Sequence, residues 1–224
     1  MNTPLLLLHG AIGASSQLKL LATALAGNYD VHLLDFPGHG GRNMPDVPFS
    51  IAHFASVVAD YIRQYQLQQP VIFGYSMGGY VAMYLAKYQP SLVGKVITVG
   101  TKFHWDEDTA AKETKKLDPS VISVKVPAFA SSLEQLHRPN DWQEVLHRTG
   151  QMMNEMGRDN PLKLSDYSSI SVPCLLLLGD RDKMVTLEET VAVYKALPDA
   201  RLGVLPGTGH AVEGVDAEVL LRML

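Results

Sequence analysis

The chain has 224 residues, of which 46% are hydrophobic and 19% charged, and its formal net charge is −4 at pH 7. This composition is typical of a soluble globular protein with a single core and excludes a disordered or fibrous chain. The lysines between positions 102 and 116 are interspersed with acidic residues, which argues against a nucleic-acid-binding surface.

The chain also carries no sign of secretion or membrane insertion. Its N-terminal apolar run, Leu5–Leu8, ends at His9 and is too short for a signal peptide or a membrane span. The single cysteine, Cys174, lies in an apolar run and excludes an intrachain disulfide. We therefore expect a cytoplasmic protein without a membrane span.

Short apolar runs of strand length alternate with longer helical patterns along most of the chain. Runs that are apolar on both faces are typical of parallel strands covered by helices on each side. The alternation therefore predicts an α/β fold with a mostly parallel sheet of about six strands. In chain order the runs are Leu5–Leu8, Val31–Leu34, Val71–Phe73, Lys95–Val99, Cys174–Leu178 and Ala200–Leu205.

Two of the intervening helices have clear sequence signatures. The segment Ser50–Tyr65 places its apolar residues on one face, as expected for a helix that covers a sheet. Another helix is predicted to begin at Thr186, because Thr186 and Glu189 have the spacing of a capping box.

Residues 102–171 interrupt the alternation of strands and helices. They contain three helix-like segments, about Asp106–Leu117, Ala128–His137 and Asp141–Met156. Because the strand pattern resumes at Val172, we expect one domain, residues 1–224, with 102–171 as a helical lid over the carboxyl edge of the sheet.

The third lid segment carries an apolar stripe at helical spacing. From this stripe, Trp142, Leu146, Met152 and Met153 are candidates for a substrate pocket, since methionines adapt to varied ligands. Packing against the sheet is the alternative for each of them. The candidate contacts for a polar or anionic end of the substrate, also in the lid, are His104, Trp105, His137 and Arg138.

The run Gly74–Gly78, with the sequence GYSMG, has the form of a nucleophile elbow. It lies between the apolar run Val71–Phe73 and a helix-like segment that begins at Gly79. In such a turn a serine is raised clear of the sheet at the N-terminus of the next helix, where developing negative charge is stabilised. The pattern predicts Ser76 as a nucleophile.

A serine nucleophile requires donors for the oxyanion that forms during acyl transfer. One predicted donor is the N–H of Met77, at the start of the helix. The second is expected from the loop after the first strand, where small residues allow close backbone approach. We favour the N–H of Ala11, with Ile12 as the alternative.

A serine nucleophile also requires a base and an acid that orients the base. Among the eight histidines, His210 is the candidate base, because it lies in a loop just after the last predicted strand. Two aspartates follow the preceding strand. We favour Asp182 as the orienting acid, because Asp180 is placed to cap its own turn.

These motifs occur together over nearly the whole chain, in the segments Leu8–Gly10, Asp35–Gly40, Gly74–Gly79, Gly179–Asp182 and Gly209–His210. The chain resembles an α/β-hydrolase of the compact esterase/lyase type. The resemblance implies Ser76, Asp182 and His210 as the catalytic triad, and Asp35 and His39 as structural loop residues. Many relatives have two further strands before the His-Gly loop, which also implies a sheet of about six strands here.

The leading functional hypothesis is hydrolysis of a small carboxylic ester or thioester through an acyl-enzyme on Ser76. A lyase or acyltransferase of the same fold, similar to the synthase of the menaquinone pathway, is the alternative. A ligand-binding module without catalysis is a third possibility. We expect a small-molecule substrate and no cofactor or metal, since no dinucleotide fingerprint or metal-ligand cluster is present in the sequence.

Overall fold

The computed structural model describes residues 2–224 and has one parallel sheet of six strands in the order β2-β1-β3-β4-β5-β6. This confirms the predicted α/β fold, with every strand pair parallel. The strands are β1 (Thr3–Leu8), β2 (Tyr29–Leu34), β3 (Val71–Tyr75), β4 (Lys95–Val99), β5 (Cys174–Gly179) and β6 (Ala200–Leu205).

The strand order reverses direction between β1 and β3. From β1 the chain crosses to β2 at one edge, returns past β1 to β3, and then adds β4 to β6 in sequence. The loops that leave β1 and β3 therefore diverge at the carboxyl edge of the sheet, where open α/β sheets form a crevice. Leu8 pairs with Gly74 at this edge, so the two loops begin side by side.

Helices cover both faces of the sheet. Alternate strand residues point in opposite directions, and in this sheet both sets are apolar and need to be buried. Leu5 and Leu7 belong to a core cluster that also includes residues of α1 and α9, whereas Leu6 and Leu8 belong to a second cluster with α2, α3 and α8. These helices are α1 (Lys19–Leu25), α2 (Ile51–Gln64), α3 (Met77–Tyr88), α8 (Leu187–Ala196) and α9 (Ala217–Met223).

Four α-helices lie between β4 and β5, within the segment 102–171. They are α4 (Glu107–Thr114), α5 (Pro119–Lys125), α6 (Pro127–His137) and α7 (Trp142–Arg158). The sequence patterns indicated α4, α6 and α7 but missed α5. Its β-branched residues resemble those of a strand, yet the Asp118 side chain accepts hydrogen bonds from two N–H groups of the first turn, with Pro119 at its start.

Helix caps fix the two other predicted helices. The Ser50 side chain accepts a hydrogen bond from the His53 N–H at the start of α2. At the start of α8 the Thr186 hydroxyl accepts from the Glu189 N–H, and the Glu189 carboxylate accepts from the Thr186 N–H. The predicted capping box is thereby confirmed. No helix within residues 2–224 is both long and apolar enough to cross a membrane.

Helix α3 packs directly against the end of β1 at Gly78. A β-carbon added at Gly78 would lie 2.5 Å from the carbonyl oxygen of Leu8 and 2.7 Å from that of His9. Both neighbours are backbone atoms and cannot rotate away, so the start of α3 requires a residue without a side chain at this position.

We expect Gly78→Ala to lower the free energy of unfolding by about 1–3 kcal/mol, because the added methyl group forces β1 and α3 apart. Urea unfolding followed by circular dichroism measures this loss. Gly27→Ala is the matched control, since a β-carbon there would meet nothing within 4 Å. Equal stability of the two variants would contradict the packing argument.

Candidate active site

Ser76 occupies the turn between β3 and α3 in a strained backbone conformation. Its φ is 51° and its ψ is −116°, a region that residues with a side chain rarely adopt. Two hydrogen bonds hold the turn: the Ser76 N–H donates to the Val99 carbonyl oxygen (2.9 Å), and the Thr101 hydroxyl donates to the Ser76 carbonyl oxygen (3.0 Å). The turn is therefore fixed to the end of β4 as well as to α3.

Asp182 and His210 form a direct hydrogen bond at the same edge of the sheet. The distance between Asp182 Oδ2 and His210 Nδ1 is 2.7 Å, and the Asp182 side chain is only 1% exposed. Asp182 Oδ1 accepts two further bonds, from the backbone N–H groups of Met184 and Val185. Burial alone would raise the pKa of Asp182, but these hydrogen bonds outweigh burial and lower the pKa.

An ionised Asp182 determines the tautomer of His210. A carboxylate only accepts hydrogen bonds, so Nδ1 carries the proton and Nε2 of the neutral ring is left with a lone pair. His210 and Ser76 border the same cavity. The hydrogen bonds within residues 2–224 include none between Ser76 Oγ and His210.

Asp180 lies apart from His210. Its Oδ1 accepts a hydrogen bond from the Thr208 N–H at 3.2 Å, and its side chain is 39% exposed beside Arg181. Asp180 thus joins the loops after β5 and β6, as expected for an aspartate that supports a turn. The geometry places Asp182, rather than Asp180, against the imidazole.

Gly100 is a site residue that the sequence analysis missed. It follows β4 with a φ of +58°, and a β-carbon there would lie 3.2 Å from Asp182 Oδ2 and 3.4 Å from His210 Nδ1. The absence of a side chain leaves room for the acid and the imidazole. A glycine directly after a strand that precedes a long insertion was the available signal.

The loop after β1 lies beside Ser76 and contains a tight turn. Ile12 has a φ of 52°, and the Gly13 N–H donates to the Gly10 carbonyl oxygen at 3.2 Å. Within the described chain, neither the Ala11 nor the Ile12 N–H donates to another protein group. Met77 is the first residue of α3, where helix N–H groups have no partner within the helix.

His9 is buried beneath this loop. Its Nδ1 lies 2.8 Å from the Gly10 carbonyl oxygen, and its Nε2 accepts a hydrogen bond from the Phe36 N–H at 3.1 Å. Complete burial lowers the pKa of His9 to about 4, so the ring is neutral near pH 7. A neutral His9 therefore connects the loops that follow β1 and β2.

His137 connects the inserted segment 102–171, which the sequence predicts as a lid, to the same loop. Its Nε2 lies 3.0 Å from the Ile12 carbonyl oxygen, and its Nδ1 accepts a hydrogen bond from the Gly40 N–H at 3.3 Å. Both ring nitrogens are thus committed to backbone groups in a side chain that is fully buried. The expectation that His137 meets a polar end of the substrate is wrong, because the ring holds two loops together instead.

A cavity of about 650 Å³ opens beside Ser76 and His210. Its wall combines the loop after β1, the lid helices α4 and α6 and the loop after β6, and most of the lining is apolar. A second cavity of about 40 Å³ lies between Ser76, Met77 and the lid. Ala11 borders both.

The four lid residues proposed as pocket candidates divide into two groups. Met153 borders both cavities and Met152 borders the smaller one. Trp142 and Leu146 instead pack with Ile122 and Leu133 in a small core inside the lid, and neither is among the residues that line these two cavities. Ile122 of α5 and Leu133 of α6 occupy the positions against Trp142 and Leu146 that a substrate was expected to occupy.

We next consider whether side chains of the described residues could bind a metal ion. Residues 2–224 contain no group of three or more His, Cys, Asp or Glu side chains placed to hold a metal ion. Cys174 is buried in β5, and burial raises the pKa of its thiol to about 12, which keeps it protonated.

Comparison with known proteins places these features in a family. The sequence profile of the family described as "Alpha/beta hydrolase family" matches residues 5–221. A solved structure of a thermophilic esterase from Thermogutta terrifontis, with malate bound, superposes with a TM-score of 0.76, covering 100% of this chain and 88% of that one at 22% identity.

Two curated relatives differ in the chemistry that their names give. A Mycoplasma pneumoniae protein with the provisional name esterase/lipase 3 is 26% identical over 198 residues, covering 83% of this chain and 71% of the relative. A Bacillus subtilis protein with the provisional name 2-succinyl-6-hydroxy-2,4-cyclohexadiene-1-carboxylate synthase is 26% identical over 229 residues, covering 92% of this chain and 82% of the relative.

We expect the free energy of unfolding to fall by about 3 kcal/mol as the pH drops from 6.5 to about 4 because of His9. The unfolded chain takes up a proton near pH 6.5, whereas folded His9 resists protonation until about pH 4. Its contribution is thus complete above this window and lost as the pH falls through it. Urea unfolding at a series of pH values measures the slope, to which His39 and His137 add in the same direction because burial lowers the pKa of both; His9→Gln, compared with wild type, isolates the part that His9 contributes.

An exposed histidine supplies the control for this measurement. His147→Gln, at an exposed position on α7, should leave the slope unchanged. A stability that stays constant across the window would show that His9 accepts a proton in the folded state without cost.

Proposed function

The chain belongs to the alpha/beta hydrolase family, and from this premise we propose that it is a serine hydrolase that cleaves a small carboxylic ester or thioester. The observation that carries the proposal is the hydrogen bond between Asp182 and His210 in the cavity that also contains Ser76. Strain at Ser76 supports a role in chemistry, because positive-φ residues of this kind concentrate at reactive sites.

In the proposed first step, Ser76 Oγ attacks the carbonyl carbon of the ester. His210 Nε2 takes the proton from Oγ, and the charged imidazole is stabilised by Asp182. The proton then passes to the oxygen or sulfur of the leaving group, which departs as an alcohol or thiol. The acyl group remains on Ser76 as an ester.

In the second step a water molecule attacks the acyl-enzyme. His210 takes a proton from the water and returns it to Ser76 Oγ, so that the acid is released and the enzyme is restored. The N–H groups of Met77 and Ala11 are the proposed donors to the oxyanion in both steps. Loss of one such donor lowers turnover by about 100- to 1000-fold in measured enzymes.

The cavity supports a small or medium-sized substrate. About 650 Å³ of space lies within the range of small-molecule sites, and its apolar wall suits an alkyl or aryl group. We propose the segment 102–171 as the lid that encloses this group, since helices α4 and α6 and Met153 of α7 form one side of the cavity.

A lyase is the second candidate. Its support is the Bacillus subtilis relative, whose provisional name gives a synthase rather than an esterase. A lyase of this fold would use the same Ser76, His210 and Asp182 for proton transfer without forming an acyl-enzyme. Detection of an acyl group on Ser76 therefore favours the hydrolase.

We expect Ser76→Ala to reduce kcat for p-nitrophenyl esters by about 10⁴-fold or more, because no other group replaces the nucleophile. Acyl chains from acetate upward measure the size of the pocket, and mass spectrometry of the quenched wild type should show an acyl group on Ser76. The thermal midpoint serves as the control for folding. Undiminished turnover in Ser76→Ala would refute the proposal.

We expect Asp182→Asn to lower kcat by about 100-fold or more, whereas Asp180→Asn changes it by less than about threefold. Asparagine at 182 no longer holds the proton on His210 Nδ1, while Asp180 does not touch the ring. Steady-state kinetics of both variants with one ester provides the comparison. The opposite ranking would assign the acid to Asp180.

A further inference from the structure

Lys102 lies beside the proposed nucleophile in a position that the catalytic steps do not use. It directly follows Thr101, whose hydroxyl donates to the Ser76 carbonyl oxygen. Its side chain borders both of the cavities that Ser76 borders and is only 16% exposed. A cation is thus placed in a largely apolar wall next to the reacting centre.

The ammonium group of Lys102 forms an ion pair but no direct hydrogen bond with its anionic partner. Its nearest anion is Glu189, with a distance of 3.7 Å between Nζ and Oε2, which is longer than a hydrogen bond. The Glu189 carboxylate is already engaged by backbone N–H groups, at Phe103 through Oε1 and at Thr186 through Oε2. The hydrogen bonds within the described chain include none from this ammonium, so its three N–H donors are available to water or to a ligand in the cavity.

The other charged side chains of the cavity wall are accounted for. Lys116 donates to Glu113 at 2.7 Å, so this pair is neutral overall. Glu213 is exposed and accepts a hydrogen bond from Gln17 at 2.8 Å. Near Ser76, Lys102 is therefore the cavity-wall cation whose ion pair lacks a direct hydrogen bond.

We propose that Lys102 binds a carboxylate of the substrate, so that the preferred substrates are esters or thioesters of short dicarboxylic acids. This inference rests on the proposed function and specifies its substrate class. Ala11 and Met77, the proposed oxyanion donors, border the smaller cavity together with Lys102, which places the ammonium on the acyl side. A second carboxylate there supplies the acceptors that Lys102 lacks.

Two esters of matched shape test this proposal. Monoethyl succinate carries a carboxylate where ethyl 4-methylpentanoate carries an isopropyl group of similar shape and no charge. The hydrolysis of both esters is followed by pH-stat titration. We expect the wild type to have a kcat/KM for the anionic ester about tenfold or more above that for the neutral one. Lys102→Gln should lower kcat/KM about 10- to 100-fold for monoethyl succinate and less than about threefold for the neutral ester.

Two further variants separate a specific contact from general electrostatics and from misfolding. Lys115→Gln removes the same charge at an exposed position outside the cavity wall and should leave the preference unchanged. Lys102→Arg keeps a cation at the site and should retain the preference for the anionic ester. The thermal midpoint of each variant reports folding.

The outcomes distinguish this inference from the function on which it rests. If both esters are hydrolysed through Ser76 and Lys102→Gln affects them equally, the esterase stands and the carboxylate site is refuted. If the wild type hydrolyses neither ester, the proposed hydrolysis of this class fails, and calorimetric titration with monoethyl succinate decides the site alone. Weaker binding to Lys102→Gln than to wild type supports it, and equal or absent binding overturns it.

Discussion

The backbone turn at Ser76 is the constraint on which the rest of the site depends. A residue with a side chain adopts φ of 51° only when its surroundings prevent relaxation, and those surroundings are mostly backbone. The end of β1 touches α3 at Gly78. Ser76 is held by two hydrogen bonds, one to Val99 at the end of β4 and one from Thr101 at the start of the loop that follows. The hydroxyl of Ser76, the nucleophile in our proposal, is therefore positioned by the ends of the strands and the start of α3.

Two neutral histidines connect the backbone loops that surround this turn. His9 and His137 each use both ring nitrogens on backbone groups, and burial lowers the pKa of both, so neither places a charge near the loop after β1. His210 differs because its partner is the carboxylate of Asp182. A histidine whose ring bonds only to backbone groups connects loops. In our proposal, the histidine whose ring bonds to a carboxylate transfers protons.

The strands and the positions of the candidate triad were predictable because each depends on short stretches of sequence. All six apolar runs became strands, since residues buried on both faces leave little ambiguity. The choice of Asp182 followed from its position in the loop. Helix α5, the role of Gly100 and the burial of Trp142 were not predictable, because they depend on contacts between segments far apart in sequence. Lys102 likewise becomes noticeable only when its poorly matched partner, Glu189, is seen beside it.

The lid enters the fold between two neighbouring strands, β4 and β5, which pair with each other regardless of what lies between them. Its entry and exit points are thus close in space, so a change in the length of the insertion need not separate the two strands. His137 limits that freedom, because it is a lid residue whose ring holds the loop after β1. A replacement lid would change what fits against Ser76 and would also have to supply a new support for that loop. If the segment 102–171 is the lid that we propose, the shape of the cavity beside Ser76 and the support of the loop after β1 are therefore coupled through one side chain.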